Sequence, residues 1–176
     1  MPATAISLTA AKTNKLFYFV ANVVVFRPSD ARCLILKRSD NEKVHPGLYA
    51  VLGGKLEWQD LDINNPTRLN GDVLDYQDAV ENLLVRETQE EAGITISQEL
   101  KYINSVAFIR PDGIPVVLVK FAAKYLSGHV KLEQGSFSDY AWVNQFEITN
   151  YQCIKGIADE VTKTIELFTA SSLFRK

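Results

Sequence analysis

The hydrophobic positions of the chain follow two patterns, and the change between them predicts the order of its elements. Residues 15–26 (KLFYFVANVVVF) and 32–38 (RCLILKR) are rich in aromatic and β-branched residues, and the turn cluster RPSD separates them. This arrangement is typical of two consecutive strands. Residues 48–58 (LYAVLGGKLEW) predict a third strand, interrupted by Gly53 and Gly54. Paired glycines at a strand end let the backbone approach another group closely.

The spacing becomes helical in the middle of the chain. It begins near Tyr76 and continues to Ala92, after which Gly93 supplies a stop signal. Strands are predicted again at 101–109 and 116–126, joined by the hairpin turn RPDGIP. The remaining predicted elements are two short extended pieces and a C-terminal helix, at 129–133, 139–143 and 151–168.

Two polar stretches are predicted to lie outside the core. Residues 1–14 are small and polar without periodicity, which predicts a flexible N-terminal tail. Residues 59–74 contain groups of turn-forming residues, which predicts an inserted loop. Strands on both sides of one helix, followed by a second helix, predict a single layered α/β domain over residues 15–176.

Composition narrows the class of protein. In 176 residues, 47% are hydrophobic and 23% are charged, which excludes a disordered chain. No apolar run is long enough to span a bilayer, and the N-terminus lacks the pattern of a secretory signal. The net charge of −2 provides no basic field, so we expect no extended nucleic acid as partner. A cytoplasmic protein is the resulting expectation.

The predicted central helix carries carboxylates where an apolar stripe would otherwise continue. At about 100° per residue, four apolar side chains share one face: Tyr76, Val80, Leu83 and Leu84. Glu87 and Glu91 fall on that same face, and Glu90 lies at its edge. A glutamate-rich helix is usually a solvated surface. Carboxylates directed inward instead favour a hard divalent cation such as Mg²⁺ or Mn²⁺, which would neutralise them.

Arg86 precedes Glu90 by four residues on the predicted helix. It could pair with that carboxylate and hold its orientation. It could equally be an exposed ion-pair residue that contributes little. Spacing alone therefore leaves the metal site and the solvated surface open as alternatives.

This segment resembles a known signature. Residues 86–94 (RETQEEAGI) resemble the core of the Nudix box, found in hydrolases of nucleoside diphosphates linked to another moiety. Residues 53–57 (GGKLE) are similar to its upstream glycine part, and residues 45–49 (HPGLY) to its usual lead-in. With the later WV pair, the resemblance extends over most of residues 16–168.

The sequence departs from the family pattern at four points. The register gives Asp78 where the family usually has glutamate at the head of the helix. Leu52 replaces the usual proline, and Thr88 replaces an aliphatic residue. A polar insertion also separates Gly54 from Asp78, so that the signature is split. A loop inserted there would lie at the mouth of the site and influence the choice of substrate.

The resemblance implies a Nudix α/β/α sandwich with a mixed β-sheet, and divalent-metal-dependent hydrolysis of a diphosphate linkage. The implied cofactor is Mg²⁺ or Mn²⁺, and the implied substrate is a small nucleoside diphosphate derivative. The implied metal ligands are Glu87, Glu90, Glu91 and the Gly53 carbonyl. The implied catalytic residues are Glu87, Glu90, Glu133 and Arg86.

Four further residues are candidates for the site, and two of them also have a plainer interpretation. Glu133 precedes the WV pair, where relatives carry a carboxylate that binds a second metal or assists the base; otherwise it is an exposed loop residue. Asp139 is a weaker candidate for the same role. Arg38 resembles an arginine that touches substrate phosphate, or it is a surface charge at a strand end. Trp58 opens the insertion and could lie over the pocket as a substrate-binding residue.

The sequence leaves the substrate open among nucleotide sugars, ADP-ribose, nucleoside triphosphates and capped or dinucleotide compounds. One alternative is a Nudix-fold sensor that binds nucleotide without cleaving it, which usually accompanies loss of the glutamates. Another is an enzyme similar to isopentenyl diphosphate isomerase, although neither Cys33 nor Cys153 is placed persuasively for it. A homodimer is compatible with the sequence.

Overall fold

The protein is described from a computed structural model, which covers residues 1–7, 9 and 11–170. Positions 8 and 10 of the predicted tail and residues 171–176 of the predicted domain lie outside the described residues. The helices are α1 (Ala79–Ala92) and α2 (Ile157–Thr169). The strands are β1 (Tyr18–Arg27), β2 (Arg32–Arg38), β3 (Tyr49–Ala50), β4 (Leu52–Lys55), β5 (Arg68–Asn70), β6 (Val73–Asp75), β7 (Ile94–Ile96), β8 (Lys101–Ile109), β9 (Pro115–Gly128) and β10 (Phe137–Val143).

Eight of these strands form one mixed sheet. Its main path is β10-β2-β1-β9-β7, while β3 pairs with β2, β4 with β1, and β8 with β9. The pairing of β1 with β9 is parallel and places Tyr18 opposite Val116 and Phe26 opposite Lys124. The other strand pairs are antiparallel, including β8 with β9 as the hairpin turn predicts.

The two helices cover opposite faces of this sheet. Successive side chains of a strand point to opposite faces. Ala21, Val23 and Val25 of β1 are accordingly buried in the cluster that includes α1. Val24 and Phe26 are buried in the other cluster, which includes α2. The predicted α/β/α sandwich with a mixed sheet is confirmed.

Helix α1 has the apolar face and the C-terminal end that the sequence predicts. Leu83 and Leu84 are buried against the sheet. The helix ends at Gly93, whose φ of +65° is left-handed and whose N–H donates to the Gln89 carbonyl at 3.0 Å. It begins later than predicted, because Asp78 lies in the left-handed region at φ +56° and breaks the helical path.

Helix α2 also begins later than the predicted range of 151–168, at Ile157. The preceding residues are held by β3 instead. The Tyr49 N–H donates to the Gln152 carbonyl at 2.8 Å, and the Ile154 N–H donates to the Tyr49 carbonyl at 2.9 Å. These two hydrogen bonds require an extended backbone, which the helical spacing of apolar residues does not reveal.

Residues 129–133, predicted as a short extended piece, belong to no strand. They lie along the C-terminal end of α1 instead. The Lys131 N–H donates to the Ala92 carbonyl at 2.9 Å, and the Glu133 N–H donates to the Glu91 carbonyl at 3.0 Å. The segment thus satisfies helix-end carbonyls that would otherwise lack partners, and it brings Glu133 to the glutamates of α1.

The insertion contributes no residue to the buried core, and it is not an irregular loop. β5 and β6 pair with each other in a separate two-stranded sheet. The ion pair between Arg68 and Asp75, 2.7 Å long, joins the open end of this hairpin. Leu69 and Val73 are each 58% exposed, so the hairpin buries little apolar surface.

A buried ion pair joins the sheet to α2. Lys120 of β9 pairs with Glu160, whose side chain is 4% exposed. Burial raises the pKa of Glu160, and the ion pair with Lys120 acts in the opposite direction. A buried carboxylate destabilises the fold when no counter-ion compensates its charge.

Replacing Lys120 by methionine should lower the free energy of unfolding by about 3 kcal/mol, because Glu160 then lacks its counter-ion. Without the counter-ion, burial disfavours only the ionised form of Glu160 and not the protonated form. The difference between variant and parent should therefore shrink as the pH falls from about 8 to about 5. Urea unfolding at both pH values measures this. Adding Glu160→Gln should recover most of the loss, and a double variant as unstable as Lys120→Met would contradict the explanation.

Candidate active site

The glycine pair of β4 brings the sheet into close contact with α1. A Cβ atom at Gly54 would lie 2.3 Å from Cδ of Glu87, so only glycine leaves room for that side chain. The Gly53 N–H donates to Oε2 of Glu91 at 3.0 Å. The two glycines therefore position two of the predicted metal-binding glutamates by close approach, as the sequence pattern predicts.

Arg86 joins three carboxylates. Its Nη1 lies 3.0 Å from Oε1 of Glu87 and 3.1 Å from Oε2 of Glu90. Its Nη2 lies 3.2 Å from Oδ1 of Asp60, in the segment that follows β4. A planar guanidinium holds several oxygens in fixed directions, so Arg86 orients carboxylates from two parts of the chain.

Asp60 is a site residue that the sequence pattern does not single out, since the register assigns the acidic position to Asp78. Asp78 is exposed and makes no capping hydrogen bond. Asp60 ends the 3-10 turn Trp58–Asp60, where its Oδ2 accepts a hydrogen bond from the Glu57 N–H at 2.8 Å. Glu57 and Asp60 do not have the residue types of the usual capping-box signature, Ser or Thr followed three residues later by Glu or Gln, so the sequence carries no clear signal for this turn.

Glu91 is the carboxylate most affected by its surroundings. Burial raises the pKa of Glu91 to about 8, against the opposing effect of the Gly53 N–H. The negative charges of Glu87 and Glu133 raise this pKa further, while Arg38 lowers it. Glu133 and Arg38, both predicted from the sequence, therefore lie within electrostatic reach of Glu91.

Arg38 and Asp139 have different surroundings. The Arg38 Nε donates to the Val44 carbonyl at 2.7 Å, and its guanidinium pairs with Glu42. It is thus tied to the loop between β2 and β3, at the end of the strand. Asp139 accepts a hydrogen bond from the Tyr49 hydroxyl at 2.7 Å, and Tyr49 packs in the cluster around α2. Asp139 is not brought to the glutamates of α1.

The three predicted glutamates differ in exposure. The Glu87 side chain is 18% exposed, whereas that of Glu90 is 54% exposed and turned towards Arg86. Within the described residues, no three carboxylate, thiol or imidazole groups already form a metal cage. The donor set nevertheless fits a hard cation, since all its side-chain donors are carboxylate oxygens and burial opposes the charge of Glu87 and Glu91.

The site therefore combines a close glycine pair, a helix with converging glutamates and an arginine that orients them. Comparison of the sequence with known families agrees with this reading, because the family model of the NUDIX domain matches residues 18–163. The chain belongs to the NUDIX family. Its predicted class, a Nudix-type pyrophosphohydrolase, is confirmed by this match.

Solved structures share the Nudix fold at low sequence identity. The NUDIX domain of Shewanella oneidensis NrtR, solved in complex with ADP ribose, has a TM-score of 0.65 and 16% identity, over 92% of this chain and 96% of that one. A MutT protein from Methanosarcina mazei Go1 has a TM-score of 0.60 and 19% identity, over 90% and 99%. A Caenorhabditis elegans Ap4A hydrolase has a TM-score of 0.57 and 16% identity, over 88% and 98%.

Sequence similarity and helix hydropathy add two negative findings. No curated protein matches the sequence. In the part of the chain that the structure describes, no helix is both long and apolar enough to cross a membrane.

Proposed function

We propose that this Nudix protein hydrolyses the diphosphate linkage of a nucleoside diphosphate derivative with the help of Mg²⁺ or Mn²⁺. The observation that carries the proposal is the close packing of Glu87 and Glu91 against Gly54 and Gly53. This packing places carboxylate oxygens on one face of α1, next to a glycine backbone that has no side chains to obstruct a cation.

Glu87, Glu90, Glu91 and the Gly53 carbonyl would hold the cation. When bound, it would neutralise the diphosphate and lower the pKa of the attacking water. Glu90 would turn from Arg86 to join the other ligands, and its exposure leaves it free to do so. The negative charge that burial disfavours at Glu87 and Glu91 would then have a counter-charge.

Glu133 is the proposed general base, with a glutamate of α1 as the alternative. Its backbone is fixed to the end of α1 by the hydrogen bond to the Glu91 carbonyl. Its carboxylate is close enough to raise the pKa of Glu91. A base must lie within reach of the water whose proton it removes, and this anchor keeps Glu133 beside the ligands.

Arg86, Arg38 and Trp58 are proposed to act on the ligands and the substrate. Arg86 positions Glu87 and Glu90 through its shared Nη1. Arg38 would contact a substrate phosphate through the guanidinium N–H donors that do not point at Glu42 or the Val44 carbonyl. Trp58 would contact the organic part of the substrate.

The choice of substrate class has support from two structural neighbours. The NrtR domain was solved with ADP ribose, and the nematode protein is an Ap4A hydrolase. Both compounds contain a nucleoside joined through phosphoanhydride bonds. We therefore propose a substrate of the nucleotide sugar, ADP-ribose or nucleoside triphosphate type.

A substrate panel tests the proposal. ADP-ribose, a nucleotide sugar, Ap4A and the nucleoside triphosphates should be incubated with Mg²⁺ or Mn²⁺, and the products separated by chromatography. We expect metal-dependent cleavage of at least one of them between two phosphates. Absence of cleavage across the panel, with tight binding of a nucleotide, would favour the non-catalytic sensor.

The isomerase alternative has less support. Both described cysteines are free, and Cys33 and Cys153 pack with the cluster around α2. This cluster lies on the face of the sheet opposite α1 and its glutamates. Neither thiol is therefore available to chemistry at the candidate site.

Replacing Arg86 by alanine should impair metal use more than stability. Its side chain is 41% exposed, and ion pairs of that exposure contribute at most about 1 kcal/mol to folding. Loss of its fixed donors should raise the Mg²⁺ concentration needed for half-maximal activity about tenfold or more. Arg110→Ala, which breaks an exposed ion pair with Asp112, is the matched control. A variant that unfolds while its folded fraction stays fully active would establish a structural role instead.

Shortening the insertion should change KM or substrate choice more than stability. The change replaces residues 62–76 with a short linker and retains Asp60 and Asp78. β5 and β6 form no hydrogen bonds with the main sheet, so its core remains intact. Melting temperature and the substrate panel are measured on the same variant. Unchanged kinetics would show that the hairpin has no part in substrate recognition. A large fall in melting temperature would show that the hairpin packs against the rest of the domain.

A further inference from the structure

An open cleft of about 640 Å³ lies between the start of β1 and the segment that follows β4. Clefts of roughly 300–1,000 Å³ are the size that holds small organic ligands. Three aromatic side chains line this one and remain about half exposed: Phe17 at 52%, Tyr18 at 45% and Trp58 at 49%. Aromatic surface left exposed in a group often marks a binding site.

Strand pairing explains why these aromatic residues meet. β1 and β4 are antiparallel, with Val20 opposite Lys55. The Leu56 N–H donates to the Phe19 carbonyl at 3.1 Å, which continues the same ladder beyond β4. One further step of this register places Tyr18 opposite Glu57, and Trp58 follows as the first residue of the 3-10 turn. The pairing of Phe19 with Leu56 therefore holds the residues at the start of β1 beside those that follow β4.

The cleft is polar at one border and apolar at the other. Lys55, Glu57 and Gln59 line it beside the aromatic residues, and the Gln59 side-chain amide donates to Glu57. Ile114 and Pro115 line the apolar side. A planar ring with polar atoms on its edge fits this combination, because its faces contact apolar groups while its edge is offered donors and acceptors.

The segment that lines the cleft, residues 55–59, lies in the chain between two residues that contact the candidate active site. Gly54, at one end of this segment, packs against Glu87. Asp60, at the other end, pairs with Arg86. Only five residues separate the two, and a stretch from one to the other extends at most about 20 Å. A ring in the cleft is thus within reach of a diphosphate at the glutamates.

We propose that this cleft is a subsite for the nucleobase of the substrate, which stacks on Trp58 and is enclosed by Phe17 and Tyr18. The inference rests on the proposed function for the identity of the substrate and extends it to the group that the cleft recognises. Phe17 and Tyr18, at the start of β1, are then specificity residues that lie outside the glycine pair and α1.

Equilibrium binding tests the subsite without requiring hydrolysis. The probes are AMP, GMP, CMP and UMP, and inorganic pyrophosphate, measured separately, is the comparison that lacks a base. Calorimetry in the presence of Mg²⁺ gives the dissociation constant of each. Trp58→Ala should weaken binding of the preferred monophosphate about ten- to a hundredfold, the range for loss of one base–aromatic stack. Trp58→Phe should retain most of the affinity. Phe17→Ala should also weaken binding, because Phe17 encloses the base. Pyrophosphate should bind all variants alike.

Phe146→Ala is the matched control, since Phe146 is 75% exposed and does not line the cleft. The subsite is overturned if none of the four monophosphates binds the parent, or if Trp58→Ala and Phe17→Ala bind them as tightly as Phe146→Ala does. The outcome is separate from that of the proposed function. If the parent cleaves no diphosphate but Trp58→Ala weakens monophosphate binding, the subsite is retained and hydrolysis is rejected. If the parent cleaves a diphosphate and Trp58→Ala leaves KM unchanged, hydrolysis is retained and the subsite is rejected.

Discussion

Replacing Glu91 by glutamine lowers kcat by roughly a hundredfold or more, and the protein stays folded. Glutamine keeps an oxygen that accepts from the Gly53 N–H, so the contact between α1 and β4 survives. It removes the negative charge with which Glu91 would hold the divalent ion, and that ion supplies most of the proposed rate enhancement. Steady-state kinetics at saturating Mg²⁺, with a melting curve on the same sample, measure both effects.

Glu81→Gln is the matched control for this prediction, because Glu81 lies on the same helix in its first turn and away from the glycine pair. It should retain the parent kcat. Near-full activity of Glu91→Gln at saturating Mg²⁺ would show that the ligand assignment is wrong. A loss of activity that follows a loss of folded protein would show a structural role for Glu91.

Replacing Gly54 by alanine should reduce kcat/KM at least about tenfold while leaving the melting temperature within a few degrees of the parent. The added Cβ would lie 2.3 Å from the carboxyl group of Glu87, the flexible end of a side chain. Glu87 can move aside at little cost to the fold, but displacement of a catalytic group by about 1 Å can cost roughly a hundredfold in rate. Kinetics and thermal unfolding of one variant separate the two effects.

Gly53→Ala provides the contrast. Its Cβ would lie 2.3 Å from the Ala21 carbonyl oxygen and 2.7 Å from Cα of Asn22, and its φ is +154°. Backbone atoms of a buried strand cannot move aside, so this variant should lose stability as well as activity. Equal behaviour of the two variants, or full activity of Gly54→Ala, would contradict the role given to the glycine pair.

The sequence predicts the elements of the site better than it predicts the contacts between them. The spacing of Leu83, Leu84, Glu87 and Glu91 depends only on helical geometry, and the structure retains it. Gly93 ends the helix because its left-handed conformation is a local property of the residue. Strand β8 matches its predicted range because a hairpin turn comes directly after it.

Contacts between distant segments are harder to predict from the sequence. The pairing of Asp60 with Arg86 joins residues on either side of an insertion. Periodicity cannot reveal such a contact, and Glu57 and Asp60 do not have the residue types of a capping box that would mark the turn. The predicted start of α2 was wrong because hydrogen bonds from Tyr49 hold the preceding residues extended, and a helical spacing of apolar residues does not record them.

The measurement that tests the central claim most directly is phosphorus NMR of the substrate that the panel selects, with protein first stripped of metal by a chelator. The proposed mechanism predicts that its diphosphate resonances persist until Mg²⁺ or Mn²⁺ is added. They should then be replaced by those of products cleaved between two phosphates, with oxygen from solvent water in one product. Cleavage at an unchanged rate in the metal-free protein, or stable diphosphate resonances from a bound substrate at any concentration of metal, would contradict it.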